Sequence, residues 1–212
     1  MKNLWHSRWQ EGKIGFHNSD VHSDLLTYAS FLDDGPHRVL VPLCGKSVDM
    51  IWLAEQGHEV VGVELVPLAV EQFFSDKGLS PEIQKQGAVQ LYRAGSITIL
   101  CGDIFDIDQS HIGEIDRVWD RAALVALPRE LRSSYVSHLR SIALDNARFM
   151  INVFRYDTSV MDGPPHSISD EEIQEYFAGR ELSLLSEQDK LSDYPLFEAR
   201  GHKYWNVCTY SA

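Results

Sequence analysis

The chain is short of cysteine and of positive charge. Cys44, Cys101 and Cys208 are its three cysteines, far apart in 212 residues, and no Cys-x-x-Cys pair occurs. Nothing there suggests a zinc site or a redox dithiol, and an odd count argues against a disulfide framework. Nineteen lysines and arginines face 31 acids, a formal charge of -12. That balance repels phosphate backbones and anionic lipid surfaces, and no Lys/Arg run supplies a local exception. Neither a nucleic acid nor a membrane is expected as partner; a small molecule is. No apolar stretch approaches the roughly 20 residues that cross a bilayer. The N-terminus lacks the continuous apolar core of a signal peptide. A reduced, cytoplasmic protein is the expectation. The nine histidines are scattered, and His17 and His22 are off the helical spacing for metal ligands, so no metal is expected.

What remains is ordinary material for one domain. A chain of this length buries roughly 70% of its unfolded surface, and its 44% hydrophobic content suits a packed core. A single domain over residues 1–212 is expected, with 1–34 as a helical N-terminal lid segment and 35–212 as an α/β core. In 1–32, Leu25, Leu26, Tyr28, Ala29 and Leu32 are spaced for one buried helical face, and Gly35-Pro36 ends it. A strand over Arg38–Val41, a helix from Ser47 to Gly57 and a strand over Glu59–Glu64 follow. Pro67 suits the first turn of the next helix, which stops at Gly78. Val89–Tyr92 and Ile97–Cys101 read as a hairpin whose second arm joins the main sheet. Asp116–Trp119 and Arg148–Phe154 read as strands, and Ala122–Leu127 and Arg129–Leu144 as helix. Ser169 and Glu172 make a capping box for a helix to Phe177, and Glu181–Ser186 with Tyr204–Tyr210 suit a terminal antiparallel pair. Alternating strands and helices of this kind give a three-layer α/β fold with a mostly parallel sheet.

In such sheets ligands bind beyond the carboxyl ends of the strands. Three strand ends carry polar groups: Pro42-Leu-Cys-Gly-Lys46, Glu64, and Asp120-Arg121. The 19 positions from Gly45 to Glu64 match the distance that sets an acid under a nucleotide ribose. Two carboxylate oxygens suit two vicinal hydroxyls; the plain alternative is a Glu capping the helix near Pro67. The loop has neither the glycines of a dinucleotide fingerprint nor the first glycine of a P-loop, where Leu40 stands. A nucleoside without phosphates fits better, and S-adenosylmethionine (SAM) is the commonest such cofactor. Gly45 would allow close approach and Leu43 would pack on it. Cys44 as nucleophile lacks an obvious base nearby. Asp120 reads as a helix N-cap or as a catalytic group, and Arg121 could hold an anionic or carbonyl edge with its planar fork. Trp9 and Phe16 read as core or staple residues, or as a dry wall whose Trp face attracts a sulfonium.

Trp5-His-Ser-Arg-Trp9, Gly15-Phe-His17, Val41-Pro-Leu-Cys-Gly-Lys-Ser47, Val61-Gly-Val-Glu-Leu65, Ile104-Phe-Asp106, Trp119-Asp-Arg-Ala-Ala-Leu-Val-Ala126 and Gly163-Pro-Pro165 stand in one order along the chain. In this it resembles the thiopurine S-methyltransferases. The resemblance implies a class I SAM-dependent methyltransferase fold, with a seven-stranded, mostly parallel sheet and an antiparallel C-terminal strand. It implies SAM as cofactor and S-adenosylhomocysteine as product. Trp9, Leu43, Glu64 and Arg121 would lie at the cofactor, with Ile104 flanking the adenine. Phe16, Arg121 and Arg200 would meet the acceptor, and Asp120 is a candidate base. The implied activity is methylation of sulfur on thiopurines and other small aromatic or heterocyclic thiols, with selenium or tellurium compounds as further acceptors. A monomer is expected. The rival readings are a nicotinamide-dependent oxidoreductase and a non-catalytic SAM-binding module.

Overall fold

Val60-Val-Gly-Val63 is apolar towards both faces of the pleat, and such a strand is stable only with both faces covered. The computed structural model, which describes residues 2–212, places that run inside a parallel sheet. The residues group into two compact units, Met1–Arg117 and Val118–Ala212.

The first unit begins with helices α1 (Lys2–Gln10) and α2 (Ser23–Thr27) and a 3₁₀ turn over Ala29–Leu32. Strand β1 (Arg38–Pro42), helix α3 (Asp49–Glu55), strand β2 (Glu59–Glu64) and helix α4 (Pro67–Asp76) follow. Strands β3 (Glu82–Gln86), β4 (Val89–Ala94) and β5 (Ile97–Cys101) precede a short helix α5 (Gln109–Ile112), and β6 (Ile115–Arg121) opens here and ends in the second unit. β2 pairs in parallel with β1 and with β5, whereas β3–β4 and β4–β5 are antiparallel. Four of the five β1 residues and five of the six in β2 are buried. Gly57 and Gly78 follow α3 and α4 in the left-handed region, at φ 91° and 64°, the usual way to end a helix.

The second unit continues with α6 (Arg129–Ile142), β7 (Ala143–Arg155), α7 (Asp170–Tyr176), β8 (Ser183–Asp189), α8 (Pro195–Ala199) and β9 (Asn206–Ser211). Its strand order is β6-β7-β9-β8, and β9 runs antiparallel to both β7 and β8. α6 buries Arg132, Tyr135, Val136, Leu139 and Ile142, the three-and-four spacing of an amphipathic helix. The Ser169–Glu172 capping box is formed at the head of α7.

The α/β class, the mostly parallel central sheet and the antiparallel C-terminal strand are as expected. Other details differ. There are nine strands among the described residues, not seven; the surplus is the β3–β4 pair, and β3 is exposed throughout, so no apolar alternation announces it. The N-terminal stretch is broken into short helices, and Leu26 points outward at 47% exposure while Leu25 and Leu32 are buried. Ala122–Leu127 holds only a 3₁₀ turn, Leu124–Ala126. Ala122 sits at φ 55° and Pro128 disfavours helical geometry at Leu127, so an α-helix has no room there.

Candidate cofactor and acceptor site

Beyond β1 the backbone turns through two left-handed residues, Leu43 at φ 48° and Gly45 at φ 52°. Leucine rarely adopts that geometry, and the turn is held by Cys44 N–H donating to the Val63 carbonyl (3.0 Å) and Ser47 N–H to that of Cys44 (3.1 Å). At Gly45 a Cβ would stand 3.2 Å from Cζ2 of Trp9. Glycine is therefore required there twice over, by φ and by space. Gly62, in β2, serves the same loop: a Cβ there would stand 2.8 Å from Cys44 Sγ and 2.9 Å from Met50 Sδ.

Glu64 is buried and reaches back to this loop. Its Oε2 accepts from Gly45 N–H and its Oε1 from Val66 N–H, each at 2.8 Å. The carboxylate thus closes the loop across the 19-residue interval and also holds the chain entering α4, as the capping reading of this Glu expects. Burial pushes its pKa up, opposed by the N–H donors of Val66, Gly45 and Leu65. Each oxygen keeps a second lone pair, enough for the two hydroxyls of a ribose. Burial and the Glu64 charge push the Cys44 thiol well up, and Cys101 is pushed to about 11 by the same two causes. Neither is a thiolate near neutral pH, so neither is an activated nucleophile.

The backbone carbonyl of Glu64 accepts from Gly102 N–H at 2.9 Å, which sets the loop after β5 beside it. There Asp103 accepts from Phe105 N–H (3.1 Å), heading the 3₁₀ turn that buries Ile104. Asp103 also pairs with Lys2 of α1 at 2.6 Å. Its signal was present in the sequence, as an acid two residues past a strand end. α1 is fixed at its other end by Trp9, which is buried with Val66 and Ala69. Phe16 is 41% exposed and stands edge-on to Trp5 and Trp9, centroids 5.7 and 5.8 Å apart. Trp9 is thus both a core residue and a wall of the Gly45 turn.

The second unit holds the other candidates. Asp120 is buried; Oδ1 accepts from Ala123 and Leu124 N–H at 3.0 and 3.1 Å, and Oδ2 from the Tyr135 hydroxyl at 2.8 Å. Burial raises its carboxyl to about 6 against those three donors. The cap reading is what this geometry shows, and with three donors already on its oxygens Asp120 is a poor candidate for a base. Tyr135, its partner from α6, was not visible in the sequence. Arg121 is half-buried and within electrostatic reach of Tyr194, whose phenol burial pushes up while the Arg121 charge draws it down. Arg200 is exposed and lies 5.8 Å from the Phe197 ring centroid. Tyr194 and Phe197 are themselves 5.6 Å apart. Within this unit Arg200 thus lies beside the Tyr194–Phe197 pair, and Arg121 acts on Tyr194 through its charge.

A sequence model of the thiopurine S-methyltransferases matches residues 1–211. The chain belongs to the thiopurine S-methyltransferase family. A thiopurine S-methyltransferase of Bordetella petrii is 46% identical over 200 residues, covering 93% of this chain and 91% of that protein. One from Pseudomonas putida KT2440 is 42% identical over 199 residues, covering 93% and 92%. Among solved structures, magnesium protoporphyrin IX methyltransferase from Synechocystis PCC 6803, with S-adenosylhomocysteine bound, aligns at TM-score 0.66 with 14% identity, covering 100% of this chain and 99% of that one. The Burkholderia thailandensis 1,6-didemethyltoxoflavin-N1-methyltransferase aligns at 0.63 with 18% identity, covering 99% and 86%. At such identities these two share the fold. As a thiopurine S-methyltransferase family member the chain is a SAM-dependent methyltransferase, and the nicotinamide and non-catalytic readings fall away.

Proposed function

We propose that this methyltransferase acts on sulfur, in thiopurines and other small aromatic or heterocyclic thiols. The observation that carries the reading is the buried Glu64 carboxylate, bonded to Gly45 and Val66 with lone pairs to spare, in a chain matched by that family from end to end. When bound, SAM supplies a methyl group on a sulfonium, open to in-line displacement by a sulfur lone pair. Glu64 would hold the ribose hydroxyls, Gly45 permit close approach, Leu43 pack on the cofactor and Ile104 flank the adenine. Trp9 would wall the sulfonium side, and Phe16 would meet the acceptor ring, keeping water out. Arg121 and Arg200 would bind the acceptor's anionic or carbonyl edge and favour its deprotonated form. A thiolate or thione sulfur is already a good nucleophile, so no strong base is needed and orientation carries the rate.

Selenium and tellurium acceptors offer the same polarisable lone pair and are included in the proposal. We also take residues 1–212 as one methyltransferase domain with 1–34 as its lid, working as a monomer in the cytoplasm, where three free cysteines would stay reduced. Transfer of radiolabel from SAM to a panel of thiopurines, thiophenols and chalcogen oxyanions tests the acceptor class. Methylation of the sulfur compounds is expected. SAM binding without transfer to any of them would overturn the reading.

A further inference from the structure

A cleft of about 950 Å³ lies in the second unit, lined by the end of α6, the start of β7, residues 179–183 and the end of β9. None of the candidate cofactor or acceptor residues lines it. Its size is within the ~300–1,000 Å³ of small-molecule sites. In a chain of charge -12, it gathers three arginines, Arg140, Arg148 and Arg180. We propose that this cleft binds a phosphate-bearing small molecule between Arg140 and Arg180.

Arg180 is held in place. Its Nη1 donates to the Ala147 carbonyl (2.6 Å) and Nη2 to that of Asp145 (2.9 Å), and its guanidinium lies 4.9 Å from the Phe149 ring centroid. Arg140 Nη1 donates to the carbonyls of Tyr176 (3.3 Å) and Ala178 (3.5 Å). These partners are neutral, and a guanidinium has five N–H donors, so each fork keeps donors while its charge is left to repel the other. Burial and the Arg140 charge both draw the Arg180 pKa down, with Asp145 opposing. Asp145 and Glu181 also line the cleft, yet it still holds two guanidinium forks, each anchored by backbone carbonyls. An anion between them removes the repulsion and gains charge-assisted hydrogen bonds. A tetrahedral dianion, with the exposed Ser137 hydroxyl as a further donor, uses that geometry better than a planar carboxylate.

Calorimetry at constant ionic strength with inorganic phosphate and pyrophosphate as probes, and citrate as the carboxylate control, tests the proposal. One saturable pyrophosphate site is expected, weakened roughly tenfold or more in Arg140→Gln with SAM affinity unchanged. Should Arg140→Gln fail to fold, Ser137→Glu sets a carboxylate in the cleft from an exposed helix position and should abolish pyrophosphate binding. The proposal is overturned by absent saturation, by unchanged affinity in either folded variant, or by citrate binding as tightly as pyrophosphate.

Discussion

Glu64 accepts two backbone N–H bonds while buried, and its remaining lone pairs are the ones a ribose would use. Glu64→Ala removes up to two charge-assisted bonds to the cofactor, each worth about 1.5–3 kcal/mol, so SAM affinity should fall roughly tenfold or more. Calorimetry on a variant with unchanged circular dichroism checks this; full affinity would refute the ribose role. Asp120 gives a pH test. Its folded-state carboxyl sits at about 6, above the unfolded 3.8. Its contribution to stability is therefore full below about pH 4 and lost as pH rises through about 6. Compared with Asp120→Asn in urea titrations, the parent should lose ground between about pH 4 and 6; parallel curves would contradict the burial argument. Gly62→Ala pushes a methyl group against Cys44 Sγ and Met50 Sδ, and overpacking of this kind costs about 1–3 kcal/mol. An unchanged urea midpoint would show that the two sulfurs move aside.

Elements were legible where their pattern is strong. Glu59–Glu64 coincides with β2, because a strand buried on both faces reads as an apolar run and its terminal acid marks the end. Gly45 and Glu64 were legible through their spacing. Tyr135 and Tyr194 were not, because they become partners of Asp120 and Arg121 only when distant segments fold together, and Asp103 went unread although it stood at a strand end. β3 and α8 carry no burial pattern to read, with every β3 residue exposed and none in α8 buried. The α7 capping box was legible, but not its second duty: Glu172 also accepts from the buried Arg132 of α6 at 3.0 Å. Glu172→Ala should therefore cost more than a cap, about 3 kcal/mol or more, since it strands a buried guanidinium. A loss under about 1 kcal/mol in chemical denaturation, the usual worth of a cap alone, would show that Arg132 finds another partner.

Over the whole molecule, the three cysteines are free and buried, with thiols pushed to about 11 at Cys101 and Cys208 and well up at Cys44, burial leading in each case. A disulfide reagent at pH 8 should leave the native protein unlabelled and react with three thiols in urea. Rapid native labelling would mean that a cysteine is open to solvent. The outermost strands have a different consequence. β3, exposed throughout, carries Glu82 on one face and Lys85 on the other, and β8 carries a register shift between Leu184 and Ser186 as well as Glu187 and Asp189. Charge and irregularity at an unpaired edge deny a second strand its template. Copies of the protein can therefore meet edge to edge without their sheets joining into fibres.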